Sequence, residues 1–158
     1  MGTVLSVIAL RSGGVGDLAA VDAVMRDAFD PRFGEAWTPG QCAGVMAMPG
    51  VWLTIAEADG VVAGFAMTRA ILDEAELLLL AVRPVFRRRG IGKALLRSVI
   101  AACGERGVAK IHLEVRAGNE AIELYRLAGF TKIGERRDYY RPKSGKLFDA
   151  MTFQKSLL

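Results

Sequence analysis

Leu77-Leu78-Leu79-Leu80-Ala81-Val82-Arg83-Pro84-Val85-Phe86-Arg87-Arg88-Arg89-Gly90-Ile91-Gly92-Lys93 is the stretch that decides the fold. It starts with an unbroken apolar run, Leu77 to Val82, which suits a strand covered on both faces. Pro84 stops that strand, because proline brings no N–H to a ladder. From about Gly90 to Arg106 the spacing of Ile91, Leu95, Leu96, Val99, Ile100 and Cys103 lays one apolar stripe along a long helix, and Gly107 is placed to cap its end. Lys110 to Arg116 follows as a strand. A strand, a crossover helix and a strand predict a parallel pair at the centre of a sheet.

Outward from this unit, antiparallel signals dominate. Val51 to Ala58 and Val61 to Arg69 flank Asp59-Gly60, a strong two-residue hairpin signal. Val4 to Leu10 predicts a first strand, broken by Gly13-Gly14. Asp17 is placed to cap a helix carrying Leu18, Val21, Val24, Met25 and Ala28. Phe29 to Gly40 has the composition of a loop, and Gln41 to Ala47 of a short helix. Asn119 to Ala128 predicts a helix ending at Gly129, and Phe130 to Arg137 with Leu147 to Lys155 a final strand pair. The expected class is α/β (α+β): a mixed, mostly antiparallel sheet around one parallel pair, with flanking helices, in a single domain over residues 1–158.

Composition narrows the function classes. The chain carries a net charge of +4, which fits an anionic ligand without naming one. The densest basic run is Arg87 to Arg89, with no interleaved aromatics, so direct nucleic-acid binding is not expected. Cys42 and Cys103 lie far apart and no metal-ligand spacing occurs, so reduced thiols and no metal are expected. No apolar run approaches a membrane span, and no leader pattern precedes the first strand. The expectation is a soluble, cytoplasmic protein.

The turn before the long helix carries the first chemistry. Free backbone N–H groups at a helix start, the helix dipole, close-approach glycines and arginines together suit a diphosphate. Neither the GxxxxGK[ST] nor the GxGxxG pattern is met. Arg87-x-x-Gly90-x-Gly92 resembles the Q/R-x-x-G-x-G/A signature of the GNAT acetyltransferases. The resemblance implies that Arg87, Arg88, Arg89, Gly90, Ile91, Gly92 and Lys93 hold the pyrophosphate of acetyl-CoA. It also implies that the backbone of Leu80, Ala81 and Val82 pairs with the pantetheine arm as an added strand would.

The second chemical segment is Leu113-Glu114-Val115-Arg116-Ala117-Gly118-Asn119, followed by Ile122-Glu123-Leu124-Tyr125-Arg126-Leu127-Ala128-Gly129-Phe130. Strand alternation puts His112, Glu114 and Arg116 on one face. Taken alone, Glu114 is a salt-bridge partner for Arg116 or a base, Tyr125 a core aromatic or an acid, and His112 an alternative base. The segment is similar to the RimI-type acetyltransferases within the same family. That similarity implies Glu114 as general base, Tyr125 as general acid and Asn119 as a CoA contact. Only Glu120 separates Asn119 from Ala121-Ile122, one residue fewer than RimI-type proteins commonly have.

The assigned roles suit an amine acceptor. An α-amino group has a pKa of roughly 7.7–8.0, so a modest carboxylate base suffices, whereas a lysine near 10.4 costs about 3 kcal/mol more to deprotonate. A tyrosine hydroxyl, protonated at neutral pH, can serve the departing thiolate. Arg136-Arg137-Asp138-Tyr139-Tyr140 and Asp149-Ala150 also resemble the RimI-type ending, which implies that Tyr139 or Tyr140 holds the incoming peptide; the alternative is two aromatics packing a strand edge. The implied activity is acetyl transfer from acetyl-CoA to a protein N-terminus, the N-terminal alanine of a small-subunit ribosomal protein. A small amine, a lysine side chain or other protein N-termini are the alternative acceptors, and a non-catalytic CoA-sensing module the alternative role.

Overall fold

The computed structural model describes residues 7–158. One seven-stranded sheet organises them: β1 (Ile8–Gly13), β2 (Val51–Ala58), β3 (Val61–Ile71), β4 (Glu74–Val82), β5 (Lys110–Arg116), β6 (Thr131–Tyr140) and β7 (Phe148–Ser156), in the order β1-β2-β3-β4-β5-β7-β6. Neighbours are antiparallel except β4 and β5, the expected parallel pair. The helices are α1 (Leu18–Ala28), α2 (Pro39–Met46), α3 (Ile91–Glu105) and α4 (Ala121–Leu127).

The sheet is covered on both faces. Ile91, Leu95, Leu96 and Val99 of α3 are almost completely buried, in one core with Leu113 and Val115 of β5 and Tyr125 of α4. Burying side chains of this size contributes roughly 1.5–3 kcal/mol each. Val21, Val24 and Met25 of α1 and Cys42 of α2 share the second core with Leu53, Ile55, Phe65 and Met67. The crossover α3 thus fixes β4 and β5 side by side, and α1 holds the sheet from behind.

The first strand departs from expectation. Residues 4–6 of the expected Val4–Leu10 segment lie outside the described residues, and the strand runs instead from Ile8 through Gly13. Gly13 is therefore a strand residue: a Cβ there would sit 2.7 Å from the Leu53 side chain, so the close approach to β2 requires glycine. Asp17 also acts differently from expectation. Its carboxylate makes no cap bond to α1; it accepts the Gly14 N–H at 2.9 Å and pairs with Arg11 at 2.8 Å, closing a short 3₁₀ turn, Val15–Asp17.

Two irregularities in β4 make the site. Opposite β3, Met67 pairs with Leu79 and Thr68 with Leu77, so Leu78 is the extra residue of a β-bulge. A one-residue insertion reverses which side chains face which way. Accordingly Ala75 and Leu77 belong to the α3 core, whereas Leu79 and Ala81 belong to the α1 core. On the other edge the parallel ladder to β5 covers only Glu74–Glu76 against Lys110–His112. Beyond it the two strands separate, leaving the β5-facing edge of 77–82 unpaired.

Candidate active site

The separation of β4 and β5 opens a cleft of about 970 Å³. Leu80, Ala81 and Val82 line one wall, Glu114 and Arg116 the other, with the start of α3 and Tyr125 of α4 also facing it. The loop 29–38 and the Tyr139-Tyr140 end of β6 complete the lining. Residues distant in sequence converge here because β4 and β5 are neighbours only through the α3 crossover.

At one end, the chain turns from β4 through a 3₁₀ turn, Pro84–Phe86, into α3. Arg88 has φ +63° and Gly90, the residue preceding α3, has φ +79°. Glycine takes this left-handed conformation at little cost. The helical ladder opens with the Ala94 N–H donating to the Gly90 carbonyl at 3.0 Å. The N–H groups of the opening turn therefore precede the helical ladder and suit an anion. Arg88, Gly90, Ile91, Gly92 and Lys93 all line the cleft.

Two arginines of this turn have other tasks. Arg87 lines the cleft, but its guanidinium donates to the carbonyls of Val82 at 3.3 Å and Ala28 at 2.9 Å, tying the end of α1 to the end of β4. Arg89 is not among the lining residues. It pairs with Asp59 of the β2–β3 hairpin at 3.2 Å and stacks on Phe86.

Glu114 projects from β5 with its side chain mostly buried. Its Oε2 accepts from the Thr152 hydroxyl at 2.6 Å, and its Oε1 lies 3.7 Å from the Arg136 guanidinium. The pairing of Glu114 with Arg116 raised by the sequence does not form. Arg116 pairs instead with Glu35 at 3.1 Å, both side chains nearly buried, and its guanidinium lies 3.7 Å from the Phe33 ring centroid. His112 faces Glu76 at 3.8 Å, where the strands are still paired, and does not line the cleft.

Tyr125 is 6% exposed, with its ring set edgewise to Phe130. Burial pushes its phenol well above the usual range, and the nearby Glu35 carboxylate adds to the shift. Its hydroxyl makes no hydrogen bond to protein among the described residues, and the residue lines the cleft. Tyr140 is likewise raised, by burial first and then by Glu35, and its hydroxyl donates to the Glu114 carbonyl at 3.5 Å. Tyr139 meets Tyr140 edge to face at 5.0 Å. Both tyrosines line the cleft.

Glu35 is the site residue that the sequence did not disclose. One oxygen takes the Arg116 guanidinium, and the other accepts the Asn119 amide at 2.8 Å. The Asn119 carbonyl oxygen accepts the Ala121 N–H at 2.8 Å, at the start of α4. Asn119 lines the cleft, while its amide joins the loop 29–38 to α4. The only signal in the sequence was a single acid in an aromatic loop, Phe33 to Trp37.

Comparison with known proteins shows the family and the fold. The model of the acetyltransferase (GNAT) family matches residues 19–130. A [ribosomal protein bS18]-alanine N-acetyltransferase of Escherichia coli K12 is 46% identical over 89 residues, 56% of this chain and 60% of that protein. The matched stretch thus spans under two-thirds of that relative's length. A Haemophilus ducreyi protein of the same name is 35% identical over 116 residues, 73% of this chain and 79% of its own. The crystal structure of the Escherichia coli ribosomal-protein-S18-alanine N-acetyltransferase superposes with a TM-score of 0.84 at 33% identity, over 96% of this chain and 94% of that one.

Proposed function

The chain belongs to the acetyltransferase (GNAT) family, and from that premise we propose that it transfers the acetyl group of acetyl-CoA to the α-amine of a protein N-terminus. One observation carries the reading. A single cleft has a glycine-bearing helix start at one end and, on its walls, a carboxylate and a tyrosine hydroxyl that has no hydrogen-bond partner among the described residues. An anion site, a proton donor and a proton acceptor are the parts that amine acylation needs. Residues 1–158 would act as one acetyltransferase domain, consistent with the single sheet.

In this reading the pyrophosphate of acetyl-CoA lies against the first turn of α3, with Arg88 and Lys93 adjacent, and the pantetheine arm runs along the unpaired edge of β4. Glu114 accepts the proton that the amine loses as its nitrogen bonds to the thioester carbonyl carbon. The carbon–sulfur bond then breaks, and Tyr125 donates a hydrogen bond to the departing sulfur. A thiol ordinarily titrates near 8.5, about 1.5 units below an ordinary tyrosine, and the Tyr125 phenol is pushed higher still. Complete proton transfer from Tyr125 would therefore run uphill. Its contribution is stabilisation of developing negative charge on sulfur.

Tyr139 and Tyr140 stand at the acceptor end, with the loop 29–38 opposite. We propose an N-terminal alanine of a small-subunit ribosomal protein as the acceptor, following the activity named for the similar enzymes. The test is thiol release from acetyl-CoA with a peptide copying that N-terminus. Release that vanishes when the α-amine is blocked supports the reading. Release with a lysine-only peptide, or none with the α-amine peptide, overturns the acceptor class.

A further inference from the structure

Glu114 needs more than a place on β5 to act as a base, because its carboxylate has two competing partners. Arg136 reaches toward Oε1 from β6, at 3.7 Å, with 58% of its side chain exposed. A guanidinium can take both oxygens of a carboxylate at once. Full capture would draw the group toward the sheet surface and neutralise it. Arg116, the other cation beside it on β5, is occupied by Glu35. The hydroxyl of Thr152 holds Oε2 at 2.6 Å from β7. Tyr140, another titratable neighbour, hydrogen-bonds the Glu114 main-chain carbonyl.

Thr152 is well built for this. It stands directly opposite Glu114 in the β5–β7 ladder, so the two side chains share a face. On its other side the register partner is Gly134, and among the described residues, its own chain neighbours aside, no heavy atom comes within 4 Å of where a Cβ on Gly134 would lie. No side chain there competes for the hydroxyl. Threonine is also stiff about χ1, which limits the directions its hydroxyl can take. One carboxylate oxygen is thus pinned to the sheet, and the side chain stays at the wall of the cleft.

We propose that Thr152 is a positioning residue for acetyl transfer, holding the Glu114 carboxylate at the cleft against capture by Arg136. The inference rests on the reading of Glu114 as the base. Steady-state kinetics with acetyl-CoA and an α-amine peptide test it through Thr152→Val, which keeps the branched shape and removes the donor. Removal of one hydrogen bond to a charged group predicts a fall in kcat of about tenfold, with both KM values little changed. Thr152→Ser keeps most of the parent rate, and Arg136→Gln added to Thr152→Val recovers part of the loss. In a Glu114→Gln background, Thr152→Val has no further effect.

Thermal melting with the parent separates these effects from misfolding. A Glu114→Gln enzyme as fast as the parent would overturn the base reading and this inference together. A slow Glu114→Gln enzyme beside a fully active Thr152→Val enzyme would overturn the inference alone. So would a Thr152→Val loss that persists in the Glu114→Gln background, failure of serine to restore the rate, or no recovery from Arg136→Gln.

Discussion

Removing the Glu35 carboxylate should loosen the acceptor side of the cleft and cost measurable stability. In Glu35→Ala, the nearly buried Arg116 loses its anion and Asn119 loses an acceptor. Breaking a buried ion pair from one side costs roughly 3–5 kcal/mol. Arg116 would retain its bond to the Ala117 carbonyl and its position over Phe33, and the pair borders an open cleft. Water and those contacts reduce the loss to about 2–3 kcal/mol. For a domain of this size, about 2–4 °C per kcal/mol gives a drop in Tm of roughly 4–12 °C. Thermal unfolding followed by circular dichroism reads it directly. Adding Arg116→Met should recover much of the loss, because the stranded charge is then gone. The acceptor KM should rise more than that for acetyl-CoA, since the anchored loop faces the acceptor end. If Glu35→Ala melted with the parent, or if the double variant were no more stable than the single, the bridge would not hold the loop.

Tyr125→Phe should lower kcat by roughly 10²-fold or more while acetyl-CoA affinity measured by calorimetry stays at the parent value; an unchanged kcat would remove the hydroxyl from the mechanism. Glu114→Gln should be most damaging below the acceptor pKa of roughly 7.7–8.0, where the amine carries the extra proton, and its deficit should shrink as pH rises; a rate–pH profile parallel to the parent's would contradict the base role. Gly90→Ala forces a side chain into φ +79°, costing about 1–2 kcal/mol, and should weaken acetyl-CoA binding, whereas Gly92→Ala places its Cβ at ordinary contact distance from Leu124 and should be milder; equal effects on melting and binding would refute the distinction. The Asp17 carboxyl is held at about 2 instead of 3.8 by Arg11 first and then by the Gly14 N–H, so its contribution is present above 3.8 and is lost as pH falls toward 2; Asp17→Asn should flatten the acid limb of stability against pH, and an unaltered limb would exclude it.

The legible parts of this chain were those written in local periodicity. The stripe from Ile91 to Cys103 and the alternation from Lys110 to Arg116 each repeat over several residues, and both elements form close to where they were expected. The hairpin at Asp59-Gly60 announced itself by turn chemistry. The edge strand β1 was harder, because Arg11, Ser12 and Gly13 resemble a loop until β2 supplies their partners. The bulge at Leu78 could not be read from a uniform apolar run, since every residue there is compatible with either face. Glu35 was illegible for a different reason. Its partners lie more than 80 residues away, 81 for Arg116 and 84 for Asn119, and nothing in its own loop repeats.

The same distinction governs the basic turn before α3. Sequence alone counts Arg87, Arg88 and Arg89 as three cations for an anion. The folded chain commits the Arg87 guanidinium to the Val82 and Ala28 carbonyls, and Arg89 to Asp59. Those bonds secure the strand end and the adjoining helix, so the turn keeps its shape as the strands part beneath it. What faces the cleft is the opening turn of α3 with Arg88 and Lys93. Backbone N–H groups held by a helix need no reorganisation when an anion arrives, whereas long side chains must be ordered at an entropic cost. The arginine run is therefore better understood as the scaffold of the proposed anion site, which would be built largely from backbone. Its charge count overstates the side-chain charge that a diphosphate would meet.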